Sequence, residues 1–356
     1  MVRQVPFPEL EFEQPIPRRL VHRAAVAEVF VTDAVELSRD RYLVAAQWPR
    51  DHALYHPDPS GLADPLLFAE TIRQGLVYLA HSRLGVPLAH RFVGTHMDFR
   101  ITHPERLRVG AAPPAVVLDA ELSRPGDRPP HRHGLRLDAV LLVDGVPCGR
   151  GGLSLFATDE RRYRLLRGPI GRPAADGDPA PDPGGGPGGG PGGGPGGDPG
   201  AAGRAGSAGS PGSAGAGPAS AETGLPPGEV GRLRAKDSVL APGEAPGEWR
   251  LGLDPGHAIL FDHPTDHIPL MAALEGFRQL GHLMVHGPEA TRPYALARVE
   301  VECHAFGELD LPTTLVLRDG APGSSPGPAR RMVVEACQED RSFATATMDW
   351  APLRTG

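Results

Sequence analysis

Cysteine is scarce: Cys148, Cys303 and Cys337 lie far apart over 356 residues and form no CxxC pair. That excludes a disulfide framework and a cysteine-built zinc knuckle, and the three read as small core residues. Lysine occurs once, at Lys236, and asparagine never, a bias of codon usage more than of chemistry. No apolar run approaches the roughly 18 residues of a membrane span. The N-terminus MVRQVPFPELEFEQ also lacks the basic-then-apolar layout of a secretion signal. A soluble, cytoplasmic protein without a membrane partner is therefore expected. Positive charge is in deficit as well, 36 Lys+Arg against 43 Asp+Glu, with no long run of one sign. A nucleic-acid binder of the basic-patch kind is excluded on that ground.

Glycine and proline are plentiful, but their excess is local. The 60 residues 169–228 hold 22 Gly and 13 Pro, and their only large apolar side chains are Ile170 and Leu225. Such a stretch cannot bury a core and reads as a disordered linker. It leaves two blocks of domain size, expected as domains over 20–168 and 229–356. Within the linker, GGGPGGGPGGG (184–194) lacks the Lys-Ser or Lys-Thr of a phosphate loop. GSSPG (323–327) fits a nucleophile-elbow pattern by letter only, because no strand-to-helix turn surrounds Ser325.

The first block alternates apolar and polar residues over 23–31 and 41–48, the mark of strands. PLLFAETIRQGLVYLAHSRLG (65–85) then carries Phe68, Ala69, Ile72, Leu76, Leu79 and Ala80 at helical spacing, and further strand-like segments follow. The second block repeats this order: VGRLRAKDSVL and EWRLGL, then PLMAALEGFRQLGHLMVHG (269–287), then four more strand-like segments. An internal duplication follows, and its sharpest sign is register. ETIRQGLVYLAH (70–81) and EGFRQLGHLMVH (275–286) share Glu, Arg, Gln and His at equal offsets. His52 and His257 each precede the shared Glu by 18 residues. The four shared offsets fall on one side of a helix and the apolar stripe on the other. One long helix per block, its oily side covered by an antiparallel sheet, is an α+β tandem hot-dog layout. The two halves would pack as an intramolecular pseudo-dimer.

VHRAAVAEVFVTD, QWPRDHALY, DPLLFAETIRQ and VPLAHRFVG, with LFDHPTDHIPLMAALEGFRQ in the second block, resemble the A-factor biosynthesis hot-dog family. The resemblance implies an acyltransferase of γ-butyrolactone signal synthesis, with acyl carrier protein and dihydroxyacetone phosphate as partners. The enzyme would move a β-ketoacyl group from the first to the hydroxyl of the second. No cofactor and no metal is expected. One departure stands out: Leu270 occupies the place of the family's glycine between Pro269 and Met271.

Transfer of an acyl group from a thioester to an alcohol needs a base, donors for the developing oxyanion and a cation for the acceptor's phosphate. Glu275, its pKa raised by shielding, is the candidate base, and Arg278 the phosphate holder. Glu70 and Arg73 form the equivalent pair in the other half. Free N–H groups of each helix's first turn are candidate oxyanion donors. The same Glu-Arg spacing also fits an ordinary i,i+3 ion pair kept by common descent. His52 and His257 are candidate second proton carriers, or loop caps. Gln74, Gln279, His263 and His267 are candidate substrate-binding residues. A metal reading of Asp262, His263, Asp266 and His267 fails because Pro264 breaks the helix that would align the two histidines. Alternatives for the whole protein are a thioesterase or dehydratase acting on carrier-protein thioesters, or an inactive hot-dog binding module.

Overall fold

The computed structural model describes residues 9–168, 224–287, 292–319 and 329–353. The first half runs Val31–Ser38 (β1), Arg41–Gln47 (β2), Leu66–Ser82 (α1), Arg91–Ile101 (β3), Ala115–Ser123 (β4), Arg132–Val143 (β5), Val146–Thr158 (β6) and Glu160–Arg167 (α2). The second runs Leu240–Pro242 (β7), Glu248–Leu251 (β8), Leu270–Val285 (α3), Tyr294–Cys303 (β9), Thr314–Asp319 (β10), Arg330–Gln338 (β11) and Arg341–Pro352 (β12). In β4 the alternate residues Val116, Leu118, Ala120 and Leu122 are buried while their neighbours point away, the two-residue period that a half-buried sheet requires.

The described strands form one antiparallel sheet in the order β1-β2-β4-β5-β6-β3-β9-β12-β11-β10-β8-β7. The second half of that order mirrors the first, as a two-fold axis through the β3–β9 seam demands. At the seam Phe99 lies opposite Val299 and Met97 opposite Val301. Helix α1 packs on β5 and β6, and α3 on β11 and β12. No described helix is long and apolar enough to cross a membrane.

Several features were not read from the sequence. The segments 23–31 and 230–240 are mostly not strands. They contain the short 3-10 turns Val26–Glu28 and Ala235–Asp237, and strand structure begins only at Val31 and Leu240. The cause is competition for backbone donors: Gln74 Oε1 accepts the Phe30 N–H at 2.8 Å, and Gln279 Oε1 accepts the Val239 N–H at 2.9 Å. These two segments are straps across the helices, and they cover the glutamate and glutamine of each polar stripe. Glu70, Gln74, Glu275 and Gln279 are all at most 1% exposed. Helix α2 clips the halves together through a Tyr163 to Asp266 hydrogen bond of 2.6 Å and a forked Arg167–Glu308 pair at 2.8 and 2.6 Å. Leu225, which composition assigns to the linker, donates its N–H to Leu240 and packs against the core. Most of the expected linker, including 184–194, and the GSSPG segment lie outside the described residues.

Candidate active site

In the first half the strap delivers Arg23 to the carboxylate of Glu70. Arg23 Nη2 lies 2.5 Å from Oε1, while Arg73, one turn along α1, forks onto the same group at 2.8 and 2.9 Å. Gln74 adds a third donor at 2.7 Å. Burial alone would raise the Glu70 pKa, but two guanidiniums outweigh it and hold the group down to about 2. The raised pKa expected of a base is therefore absent at Glu70. His52 accepts the Leu54 and Tyr55 N–H groups at Nδ1 and meets Glu28 at Nε2, 3.2 Å away. It is the cap of a loop.

The second half repeats this geometry for the strap arginine, the glutamine and the loop histidine. Arg232 forks onto Glu275 at 2.7 and 2.5 Å, and Gln279 donates to the same carboxylate at 2.6 Å. His257 accepts the Ile259 and Leu260 N–H groups and meets Asp237 at 3.0 Å. Both amide hydrogens of Gln279 are spent, on Asp237 O and Glu275, and those of Gln74 on Glu28 O and Glu70. Neither glutamine has a donor left for a ligand.

Arg278 breaks the symmetry. Its equivalent, Arg73, grips a carboxylate. Arg278 instead donates to the carbonyls of Val230 and Gly231 at 2.7 and 3.1 Å, with Asp64 no nearer than 3.9 Å. Burial and the neighbouring Arg232 lower its pKa to about 10. Its nearest carboxylate, Asp64, is held more closely by Arg232, at 2.9 Å. Beside Arg278 lies a cavity of about 310 Å³, at the lower end of the usual size for small-molecule sites. Arg232, Arg278, His282 and His286 line it from the second half and Asp58, Ser60 and Asp64 from the first, together with apolar Leu62, Leu107, Leu296 and Trp350. Three buried ring nitrogens of its lining residues, His56 Nε2, His286 Nδ1 and Trp350 Nε1, have no hydrogen-bond partner among the described residues. His282 stacks on His286 with ring centroids 4.1 Å apart. Burial and Arg278 lower its pKa to about 2 and keep it neutral.

The remaining candidates lie elsewhere. His263 is half-exposed, 3.8 Å from Asp262, whose carboxylate accepts the Ala24 and Ala25 N–H groups of the first strap. His267 Nδ1 lies 2.9 Å from Asp266 and 3.1 Å from the Tyr163 hydroxyl. It lines a smaller cavity of about 170 Å³ together with Leu270, whose side chain packs against Gly94 at the start of α3. The two histidines are therefore brought neither to each other nor to the Arg278 cavity. The free N–H groups expected at α1 are also reduced, because Asp64 Oδ1 accepts the Leu66 N–H at 2.9 Å. Among the described residues, His96, Glu300 and Glu302 at the seam come within 4.8 Å of one another, the spacing a metal ion would need.

The model of the A-factor biosynthesis hotdog domain matches residues 8–159 and 214–354. The chain belongs to the A-factor biosynthesis hot-dog family. It is 33% identical over 298 residues to the 2-oxo-3-(phosphooxy)propyl 3-oxoalkanoate synthase of Streptomyces virginiae, covering 83% of this chain and 85% of that protein. A protein of the same name from Streptomyces griseus is 38% identical over 111 residues, 31% of this chain and 36% of that one. Among solved structures the chain is similar to the 12:0-ACP thioesterase from Umbellularia californica, with 11% identity and a TM-score of 0.46 over 87% of this chain and 98% of that one. In this family member the doubled helix-and-sheet layout is a tandem hot-dog, and its two halves form an intramolecular pseudo-dimer around the seam.

Sequence reasoning missed Arg23, Arg232, Asp64 and His282. The arginines had a signal: VHRAAVAE and VGRLRAKD both read V-x-R followed, five residues after the Arg, by an acid. Their distances to the helix glutamates differ, 47 against 43 residues, so a search for equal spacing passes over them. Asp64 and His282 have no counterpart of the same type in the other half.

Proposed function

We propose that the protein is an acyltransferase that makes a 3-oxoacyl ester of dihydroxyacetone phosphate, with acyl carrier protein as the thioester donor. The acceptor's hydroxyl oxygen attacks the thioester carbonyl carbon, the C–S bond breaks, and the hydroxyl proton leaves with the thiol. Direct transfer needs no acyl-enzyme intermediate. The observation that carries the reading is Arg278, a buried guanidinium on the wall of a cavity whose nearest carboxylate, Asp64, stands 3.9 Å away and outside hydrogen-bond reach, so that a phosphate would be a closer anionic partner. Family membership and the synthase activity named for the Streptomyces virginiae relative support this chemistry. In this reading Glu275 is a positioning residue, because both its oxygens hold Arg232 and so fix that arginine at the cavity. A carrier-protein donor keeps the expected cytoplasmic setting with the reading.

The test is incubation of the purified protein with a 3-oxoacyl thioester, with and without dihydroxyacetone phosphate, followed by mass spectrometry. Acceptor-dependent formation of the phosphorylated ester, lost in Arg278→Gln, is the expected outcome. Release of free acid regardless of acceptor makes the protein a thioesterase. Unchanged thioester, under conditions where a known synthase turns over, makes it a binding module, the reading that the filled space at Leu270 favours.

A further inference from the structure

The two halves carry the same cluster, yet only one is arranged to take a ligand. Val21, His22 and Arg23 of the first strap correspond by contact to Val230, Gly231 and Arg232 of the second. Arg73 bonds to the carbonyl of Val21 as Arg278 does to that of Val230, and the two strap arginines grip equivalent glutamates. His22 and Gly231 share an unusual backbone, with φ of 51° and 64°. Only their side chains set them apart.

His22 packs its ring between His81 and Phe92, with centroids 4.9 and 5.0 Å away, and its Nε2 lies 2.8 Å from His81 Nε2. His81 is the counterpart of His286, so the space next to it is filled by the strap itself. At position 231 there is no side chain. A Cβ placed there would come within 2.6 Å of His282 and 2.9 Å of Arg278. The glycine is what lets these two side chains line the cavity beside the strap. The first half also has Val77 where the second has His282, and its Arg73 is consumed by Glu70.

We infer that the chain binds one phosphorylated acceptor and not two, at the Arg278 cavity, and that the choice between Gly231 and His22 opens that site and closes its copy. This rests on the synthase reading for the identity of the ligand, while the geometry alone calls for a small anion. The first-half cluster is then an ion-pair brace that ties its strap to α1.

The test is titration of the full chain with dihydroxyacetone phosphate by calorimetry, alongside the ester-forming assay, for wild type, Gly231→His and His22→Gly. Expected are one equivalent bound by wild type and by His22→Gly. Gly231→His, folded by circular dichroism and melting, should lose binding and product by roughly 100-fold. A histidine is compatible with that backbone, as His22 shows. Two equivalents bound by wild type, no binding by wild type, or a folded Gly231→His that binds normally would each overturn the inference. Wild-type stoichiometry decides the matter even if Gly231→His does not fold. One equivalent bound without ester formation would leave the single site standing and defeat the synthase reading instead.

Discussion

Glu275 and Arg232 are both shut off from solvent, and a charge left alone there has no water to turn to. Glu275→Gln keeps the shape but leaves Arg232 with Asp64 as its remaining acid, at 2.9 Å. It should destabilise the fold by about 3 kcal/mol in denaturant titration. Loss of product in that variant therefore says little about a base, whereas Arg278→Gln removes a group whose hydrogen bonds go to backbone carbonyls and whose one carboxylate contact, Asp64, is 3.9 Å away. Acid sensitivity should come in two stages. Burial and nearby cations depress His22 to about 3, so the unfolded chain takes up its proton first. That stability is complete above about pH 6.5 and drains away below it. Glu70, depressed to about 2, gives a contribution complete above about pH 4.5 and lost as pH falls towards 2, roughly 3 kcal/mol in all. Melting curves from pH 8 to 3 should show both stages, and His22→Gln should blunt the first.

At the scale of the helices, glycine separates propensity from packing. A Cβ at Gly75 of α1 would sit at ordinary contact distance, 3.6 to 3.8 Å, from Val44, Leu137 and Leu118. Gly75→Ala should therefore stabilise by about 1 kcal/mol. Gly281 of α3 lies against the indole of Trp350, where a Cβ would come within 2.5 Å of Nε1 and 2.9 Å of the ring carbons. A rigid ring cannot yield as a methyl can, so Gly281→Ala should cost about 1–3 kcal/mol. Paired melts of the two variants check this, and equal shifts would contradict it. The helices themselves were legible because apolar residues at 3.6 spacing need no partner to be read. The straps were not: their alternation resembles a strand, and only the helix carboxamides that capture the Phe30 and Val239 amides convert them.

At the scale of the molecule, the seam between β3 and β9 and the α2 clip make the two halves one body. Removal of residues 184–217 should leave the melting temperature within about 2 °C of wild type, since that composition adds almost no buried apolar surface. A larger fall in a thermal scan would contradict it. Opening the seam should do far more, because it exposes two unpaired strand edges at once.

Duplication and helix register were settled by the chain itself, since period is a local property. So was the Glu-Arg-Gln-His stripe. What each of those side chains does was decided only in three dimensions. Arg73 and Arg278 are equivalent in sequence, yet one grips a carboxylate and the other faces a cavity. The difference lies in straps whose arginines stand more than 40 residues before the helix glutamates they grip and in a loop of the opposite half that supplies Asp64. Charge pairing and free volume depend on which distant segments meet, and no local spacing encodes that.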